Sequence, residues 1–343
     1  MGDLPSSRVV PSAPFLKAAV DLAGPFTVKE SIRPKALTYK AYFALFVCLA
    51  TKACHIEVLT SLSSEEFINT LHRFVSRRGL PKEIFCDQGT NFKGAARRLK
   101  EIVEFLRSSE NQSDVCDAMS SKSIQFRFNI PHAPFMNGIC ESNIKNVKFH
   151  LFREVGNSVL TIVELSTLLV KIEAILNSRP LYALSSSPDD YEALSPGHFL
   201  VHRPLLAVPE IDVSDVNEHR LSRWEKVNRF TQRLWRRWES EYLHTLQQKN
   251  KWFESDTNLQ VGQLVWIKEN NSSPLSYPLG RVTQIISDAK GIVRSAHVKT
   301  NSGAVLGGWE IRAVGGLGCS LTLWATSLDS WWSAHGSTVC PST

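Results

Sequence analysis

Apolar, β-branched and aromatic residues come first in three short dense stretches, over 16–26, 39–51 and 53–59, which predict three consecutive strands. The period then changes. Phe67, Leu71 and Phe74 recur at helical spacing behind Ser63 or Ser64 as cap, with Glu65 and Glu66 in the first turn, so a helix follows and Gly79 and Pro81 stop it. Residues 82–87 predict a short strand whose last residue is Asp87, Thr90 opens a helix to about Leu106, and residues 123–130 alternate as a fifth strand. Beyond a loop over 131–138, helices are predicted from about Cys140 and from Thr161 to Asn177. This order is an α/β pattern, in which strand ends bring distant residues together.

A second unit follows. Residues 186–218 contain a Pro-rich, partly acidic connector. From Leu221 to about Leu246, Trp224, Val227, Leu234, Trp238 and Tyr242 suit one face of an amphipathic helix, and Arg229, Arg233, Arg236 and Arg237 crowd its other sides. Residues 260–298 then predict a small β unit, with strands at 264–267, 280–282 and 293–298. The organisation expected is a linker over 1–14, a core over 15–185, the connector, a basic helix with a small β domain over 219–302, and a divergent, poorly ordered tail over 303–343. From Ala313 to the end there is no Lys or Arg, and Gly, Ser and Trp dominate without a period.

Composition narrows the class. With 343 residues, 43% hydrophobic and 21% charged, the chain carries a globular protein's core rather than a disordered chain's composition. Its seven cysteines are odd in number and form no CxxC pair, so neither a disulfide framework nor a zinc site is indicated, and a reducing, intracellular compartment fits. The apolar run around Cys48 is about half the length of a membrane span, so no membrane association is expected. A net charge of +6 permits a polyanionic partner without proving one.

Three acids then stand out: Asp21 inside an apolar strand, Asp87 at a strand end, and Glu141 after the 131–138 loop. Buried carboxylates need compensation, and a shared pair of divalent cations about 3.5–4 Å apart supplies it while serving in-line displacement at phosphorus. Asp21 would bridge both ions, Asp87 complete one shell and Glu141 the other. Glu141, Lys145 and Lys148 fall at i, i+4 and i+7 and share one helix face. That face reads either as a solvated Glu–Lys ladder or as a metal ligand beside two phosphate-binding cations; the preceding Asn137-Gly138 loop, able to move for substrate, favours the second. His132 and Asn137 are that loop's candidate contacts to nucleic acid, with plain exposure the alternative for His132. For the tryptophans around Arg236 and Arg237, a nucleic-acid platform and packing against the small β unit both remain open.

Five segments carry a resemblance: Val20 to Phe26, Cys86 to Phe92, Ile130 to Ser142, Ala174 to Leu181 and Ser195 to Leu200. In this order they resemble the integrase of BEL/Pao retrotransposons, within the retroviral integrase and DDE transposase superfamily, over about residues 5–302. The resemblance implies an RNase H-like core, with a mixed five-stranded sheet flanked by helices and a C-terminal helix plus β-barrel-like domain. It implies that Asp21, Asp87 and Glu141 form an acid triad binding Mg2+ or Mn2+, and that Asn91 and Lys145 or Lys148 lie at a DNA-contacting surface. Arg233, Arg236 and Arg237 belong to the basic segment that follows the core in these polyproteins. Metal-dependent DNA end processing and strand transfer, element ends and target DNA as partners, a homo-oligomer and a nuclear site of action are the corresponding expectations; a catalytically inactive nucleic-acid-binding derivative is the alternative. Three departures bear on this, one being that the resemblance ends at about Gly303, where the Trp-rich tail takes over. The family's N-terminal zinc domain is not found, so no structural zinc is expected in this chain, and Cys140 stands where relatives carry Trp before the glutamate.

Overall fold

The computed structural model describes residues 10–33, 35–87, 89–108, 124–128, 147–148, 151, 153–155, 158–242, 259–267, 272–287, 293–301, 305–307 and 311–313. Its contacts divide the chain into two units: one made of residues 1–178, 196–205 and 209–234, the other of 179–195, 206–208 and 235–343. The stretch read as a single connector is thus shared between them, and most of the basic helix is counted with the first.

The first unit is mixed α/β. Its elements are β1 (Lys17–Lys29), β2 (Thr38–Cys48), β3 (Cys54–Leu59), α1 (Ser64–Arg78), β4 (Glu83–Cys86), α2 (Thr90–Ser108), β5 (Gln125–Phe128), β6 (Leu160–Thr161) and α3 (Ile162–Ser178). The strands form a sheet of order β3-β2-β1-β4-β5, with β6 added beside β1. Pairing is antiparallel among β1, β2 and β3 and parallel from β1 to β4 to β5. This is the RNase H-like arrangement: a three-stranded meander, then crossovers that lay β4 and β5 parallel to the central strand. The two-residue β6, parallel to β1 at Val28 and Lys29, has no counterpart in the expected order.

Local chemistry explains the elements. Ser63 caps α1 by accepting from the Glu66 N–H at 3.2 Å, Glu65 and Glu66 sit at the positive end of the helix, and Arg77 and Arg78 at the negative end. Gly79 ends it at φ 89°, where a side chain would strain the backbone. Phe67, Leu71 and Phe74 lie buried on the sheet with Val20, Phe46, Ile84 and Phe92, as the helical spacing predicted. Phe74 stacks on Phe46 and meets Phe15 edge-on, which fixes the angle at which α1 crosses the strands.

Helix α3 closes the outer edge of β3 with side chains. Asn177 accepts from the Cys54 N–H at 2.7 Å and donates to the Cys54 carbonyl at 2.8 Å, so its amide imitates the next strand. One turn earlier Glu173 accepts from the Ile56 N–H at 2.8 Å, and from α1 Arg73 donates to the Val58 carbonyl at 2.9 Å. An edge that would pair with another chain is thereby covered.

The hairpin strands β7 (Tyr182–Ala183) and β8 (Ala193–Leu194) belong to the second unit, and the short helix α4 (His198–Val201) to the first. Helix α5 (Arg223–Arg237) continues into a wider turn over Trp238–Tyr242. The second unit is built on β9 (Leu264–Ile267), β10 (Leu279–Ser287), β11 (Val293–Thr300), β12 (Val305–Gly307) and β13 (Ile311–Ala313), an antiparallel sheet of order β12-β11-β10-β9-β13. Strands β12 and β13 lie beyond residue 302, where the sequence predicted only a divergent tail. Val265, Ile267, Val282, Ala296 and Val298 form its core. Arg281 is buried and donates to the carbonyls of Ser185, Asp190 and Gly262, which ties the β7–β8 hairpin to the sheet. Among the described residues no helix is long and apolar enough to cross a membrane.

Candidate active site

Strand order carries two of the three acids to the same end of the sheet. β1 and β4 pair in parallel with Ala18 opposite Ile84 and Ala19 opposite Phe85, the last pair of the ladder, and Asp21 and Asp87 each follow two residues later. The alternation puts them on one side. Ala18, Val20, Ile84 and Cys86 pack into the core under α1 and α2, leaving Asp21 and Asp87 on the opposite face. Neighbouring strands lie about 4.8 Å apart, a separation that two carboxylates can bridge through a shared divalent cation with oxygen distances of about 2.0–2.6 Å. The strand ends at Cys86, not on the acid as predicted, and Asp87 is the first residue past it. That position leaves Asp87 exposed while Asp21 is half-buried. Burial, with the Asp87 charge beside it, pushes the Cys86 thiol up to about 12, so this cysteine stays protonated and is a packing group.

The turn from Asp87 into α2 is compact. Asp87 Oδ1 accepts from the Gly89 N–H at 2.9 Å, and the first helical bond runs from the Lys93 N–H to the Gly89 carbonyl. A Cβ at Gly89 would lie 2.6 Å from Asn91 Oδ1 and 3.0 Å from Asp87 Oδ1. Both oxygens therefore face the same small space, which exists because residue 89 has no side chain. Behind the turn, Phe92 is buried and meets Phe67 edge-on, their ring centroids 4.8 Å apart. Gly94 lies against Ser64, and Arg98 pairs with Glu65 at 2.9 Å, so α1 holds the start of α2 at several points. Asp21 Oδ1 accepts from the Leu22 N–H at 2.7 Å.

Glu141, His132, Asn137 and Lys145 lie outside the described residues. Lys148 is described: it is helical and half-buried, with Val147 and Leu151 buried beside it. Among the described residues no three His, Cys, Asp or Glu side chains gather to hold a metal ion. In donor chemistry Asp21 and Asp87 suit one: both are hard carboxylates of the kind that Mg2+ and Mn2+ prefer, one on β1 and the other just past the end of β4.

The basic helix is more occupied than its sequence suggested. Arg233 pairs with Glu154, whose side chain is wholly buried, at 2.8 Å. Arg223 pairs with Glu164, and Lys226 and Arg229 reach Glu218 at 3.7 and 3.6 Å. Arg236 and Arg237 are half-buried. The expected apolar stripe needs correction. Trp224 is 65% exposed, while Phe230, Trp235 and Trp238 are buried. Trp235 meets Tyr277 edge-on and donates to Ser272 Oγ at 2.9 Å, so packing decides its role.

Sequence reasoning missed a buried ionic cluster. His55 and Glu57 on β3, Arg73, Arg77 and Arg78 on α1, and Glu173 on α3 form it. His55 contacts Glu57 at 3.0 Å and Glu173 at 3.4 Å, Arg77 and Arg73 reach Glu57 at 2.6 and 3.0 Å, and Arg78 reaches Glu173. Burial alone would lower the His55 pKa, but the hydrogen bonds to Glu173 and Glu57 outweigh it and hold the imidazole above its ordinary value. Glu57 is held below the usual carboxylate range: burial would raise it, and the His55 and arginine partners outweigh that. The available signal was His55 and Glu57 alternating on an otherwise apolar strand, with a glutamate inside an apolar helix.

Comparison with known proteins adds little to this geometry. Residues 222–311, less than half of the chain, match a family of unknown function, DUF5641. Among curated proteins none matches. The cryo-EM structure of the simian T-cell lymphotropic virus intasome in complex with PP2A regulatory subunit B56 gamma aligns with 92% of this chain and 80% of its own, at 11% identity and a TM-score of 0.36. A likeness at that level carries no argument about function.

Proposed function

We propose that this chain is an integrase-type polynucleotidyl transferase of the BEL/Pao retrotransposon class, acting on DNA with Mg2+ or Mn2+. The observation that supports it most is the parallel β1–β4 pairing, after which Asp21 on β1 and Asp87 just past β4 each follow two residues beyond the last paired residues. Their order in the chain and the motifs around them agree with it. Glu141, which the sequence pattern puts seven residues before Lys148 on a predicted helix, is the third acid in this reading, and Lys145, Lys148, Asn91, His132 and Asn137 contact the DNA. Arg236 and Arg237 extend that contact, and Arg233 takes part only if its pair with Glu154 opens.

Divalent cations held by the three acids would supply charge stabilisation for the attacking and leaving oxygens. The chemistry is two in-line displacements. Water attacks a phosphodiester near an element end and expels a 3′-oxygen, which leaves as the free hydroxyl. That hydroxyl then attacks a target phosphodiester, forming a new P–O bond and expelling the target's 3′-oxygen. Carboxylates at Asp21 and Asp87 are needed at both steps. Work on two DNA ends fits a homo-oligomer, and work on chromosomal DNA fits the nucleus.

Asp21→Asn and Asp87→Asn are expected to lower end processing and strand transfer on duplex DNA by at least a hundredfold, with circular dichroism unchanged. Full activity in either variant would refute the reading. Wild-type chain that binds duplex DNA under chelation, yet cuts none with Mg2+ or Mn2+, would instead mark a retained fold without turnover.

A further inference from the structure

We infer that the β1–β2 hairpin is an arm that holds the phosphate backbone of duplex DNA next to the candidate active site. The inference rests on the DNA-directed reading of that site and adds a binding surface to it.

The hairpin runs on past β3 and β4, and beyond them β1 meets only the two residues of β6, at Val28 and Lys29. β4 pairs with β1 only over Lys17–Ala19, and β3 pairs with β2 no further than Tyr42. Beyond Asp21, β1 continues eight residues to Lys29, a reach of roughly 25 Å at about 3.3 Å per residue. It does so past the C-terminal end of β4, the end that carries Asp87. The register shifts between Ala23 and Phe26, a bulge of the kind that bends a strand and increases its twist. Gly24 sits there at φ +144°, and a Cβ on it would lie 2.6 Å from the Tyr42 ring. The arm's bend therefore requires a glycine at this point.

Charge is concentrated on the arm. Lys29, Arg33, Lys35 and Lys40 are opposed only by Glu30 within residues 29–40, a net +3 in a chain whose total is +6. Phe26, Val28 and Ala41 are buried on one side of the hairpin, while Thr27, Thr38 and Lys40 are exposed on the other. The register sets Thr27 opposite Lys40 and Thr38 opposite Lys29, so the two lysines are diagonal neighbours on that open side. Arg33 and Lys35 add charge at the exposed tip. Among the described residues none of these four cations is in an ion pair, in contrast to α5, where Arg223, Lys226, Arg229 and Arg233 all are. Cations spent on internal carboxylates hold a fold together. Cations that meet no internal carboxylate on the open side and tip of a hairpin, exposed at Arg33, Lys35 and Lys40 and half-buried at Lys29, suit an external polyanion, and releasing the counterions of DNA gives such contacts their affinity. Ile32 and Leu37, 69% and 75% exposed at the tip, would also suit a membrane surface. The arm's position at the acid-bearing end of the sheet favours DNA.

Binding of the full chain to labelled duplex DNA, measured by anisotropy across a salt series, tests this. The quadruple variant K29Q/R33Q/K35Q/K40Q is expected to reduce the slope of log affinity against log salt by about three to four, near 0.9 per lost phosphate contact. K35Q/K40Q should reduce it by about two. K17Q/K82Q, at the other end of β1 and β4, should leave it unchanged. A wild-type slope in the quadruple variant overturns the arm, and if Asp87→Asn still abolishes cutting, the active-site reading survives that result. A reduced slope in a chain that cuts no DNA supports the arm and counts against the active-site reading. If the four cations govern binding to anionic phospholipid vesicles while the DNA slope is unmoved, the arm is a membrane contact and the inference is wrong.

Discussion

Single residues decide two properties that no segment-level pattern conveys. The His55 cluster makes stability depend on pH, and its sign follows from the two shifts. His55 is raised above its ordinary 6.5, so its contribution is complete below that value and is lost as pH rises through the higher folded-state value. Glu57 is lowered below 4.5, so its contribution is present above that value and is lost as pH falls through the folded-state value. The cluster therefore stabilises most between about 4.5 and 6.5. The thermal midpoint should decline as pH rises above about 6.5, and His55→Gln should flatten that decline; an equal decline in the variant would remove His55 as its cause. Gly89 makes the second case. Gly89→Ala places a methyl group 2.6 Å from Asn91 Oδ1, so metal-dependent cutting should fall at least tenfold while the thermal midpoint moves little. Loss of folding in that variant would mean the turn is structural first.

At the level of elements, the sequence was informative wherever one face of a segment is buried. The period-2 and period-3.6 patterns located β1 to β5, α1, α2 and α3 because burying one side forces that period. They failed where another interaction took over. Two residues of β6 are too few to show a period, and Trp224 satisfied the spacing of α5 yet lies in solvent because Phe230 and Trp235 fill the buried side. Closure of the β3 edge was illegible for a different reason: Glu173 and Asn177 look like polar interruptions of an apolar helix until their backbone partners are seen. Those partners give a prediction. Asn177→Ala leaves both the N–H and the carbonyl of Cys54 buried without this amide, at a cost of about 2–4 kcal/mol. Chemical denaturation should register it, and a loss under about 0.5 kcal/mol, the range of an ordinary surface substitution, would show that the edge is closed by something else.

For the whole molecule, strand order was legible but helix partners were not. Asp21 and Asp87 sit in motifs, and a parallel β1–β4 pairing is what an α/β order imposes, so topology carries both to the same end of the sheet. A boundary depends instead on which partners a helix chooses, and α5, whose sequence pointed toward the small β unit, makes its ion pairs with the first unit. Arg223 reaches Glu164, Asn228 accepts from Lys171 at 2.6 Å, Gln232 holds the backbone of Ile211 and Val213, and Arg233 reaches Glu154. Glu154 matters most, because its side chain is wholly buried and the Arg233 ion pair offsets part of the cost of keeping its charge there. A fragment ending at residue 218 removes all four contacts, whereas one ending at Leu234 keeps them. The longer fragment should therefore unfold with the higher midpoint, by several degrees, and Arg233→Ala in the full chain should destabilise the first unit by about 2–4 kcal/mol. Equal midpoints for the two fragments would show that α5 adds nothing to the first unit's stability, and its arginines would then be available to DNA after all.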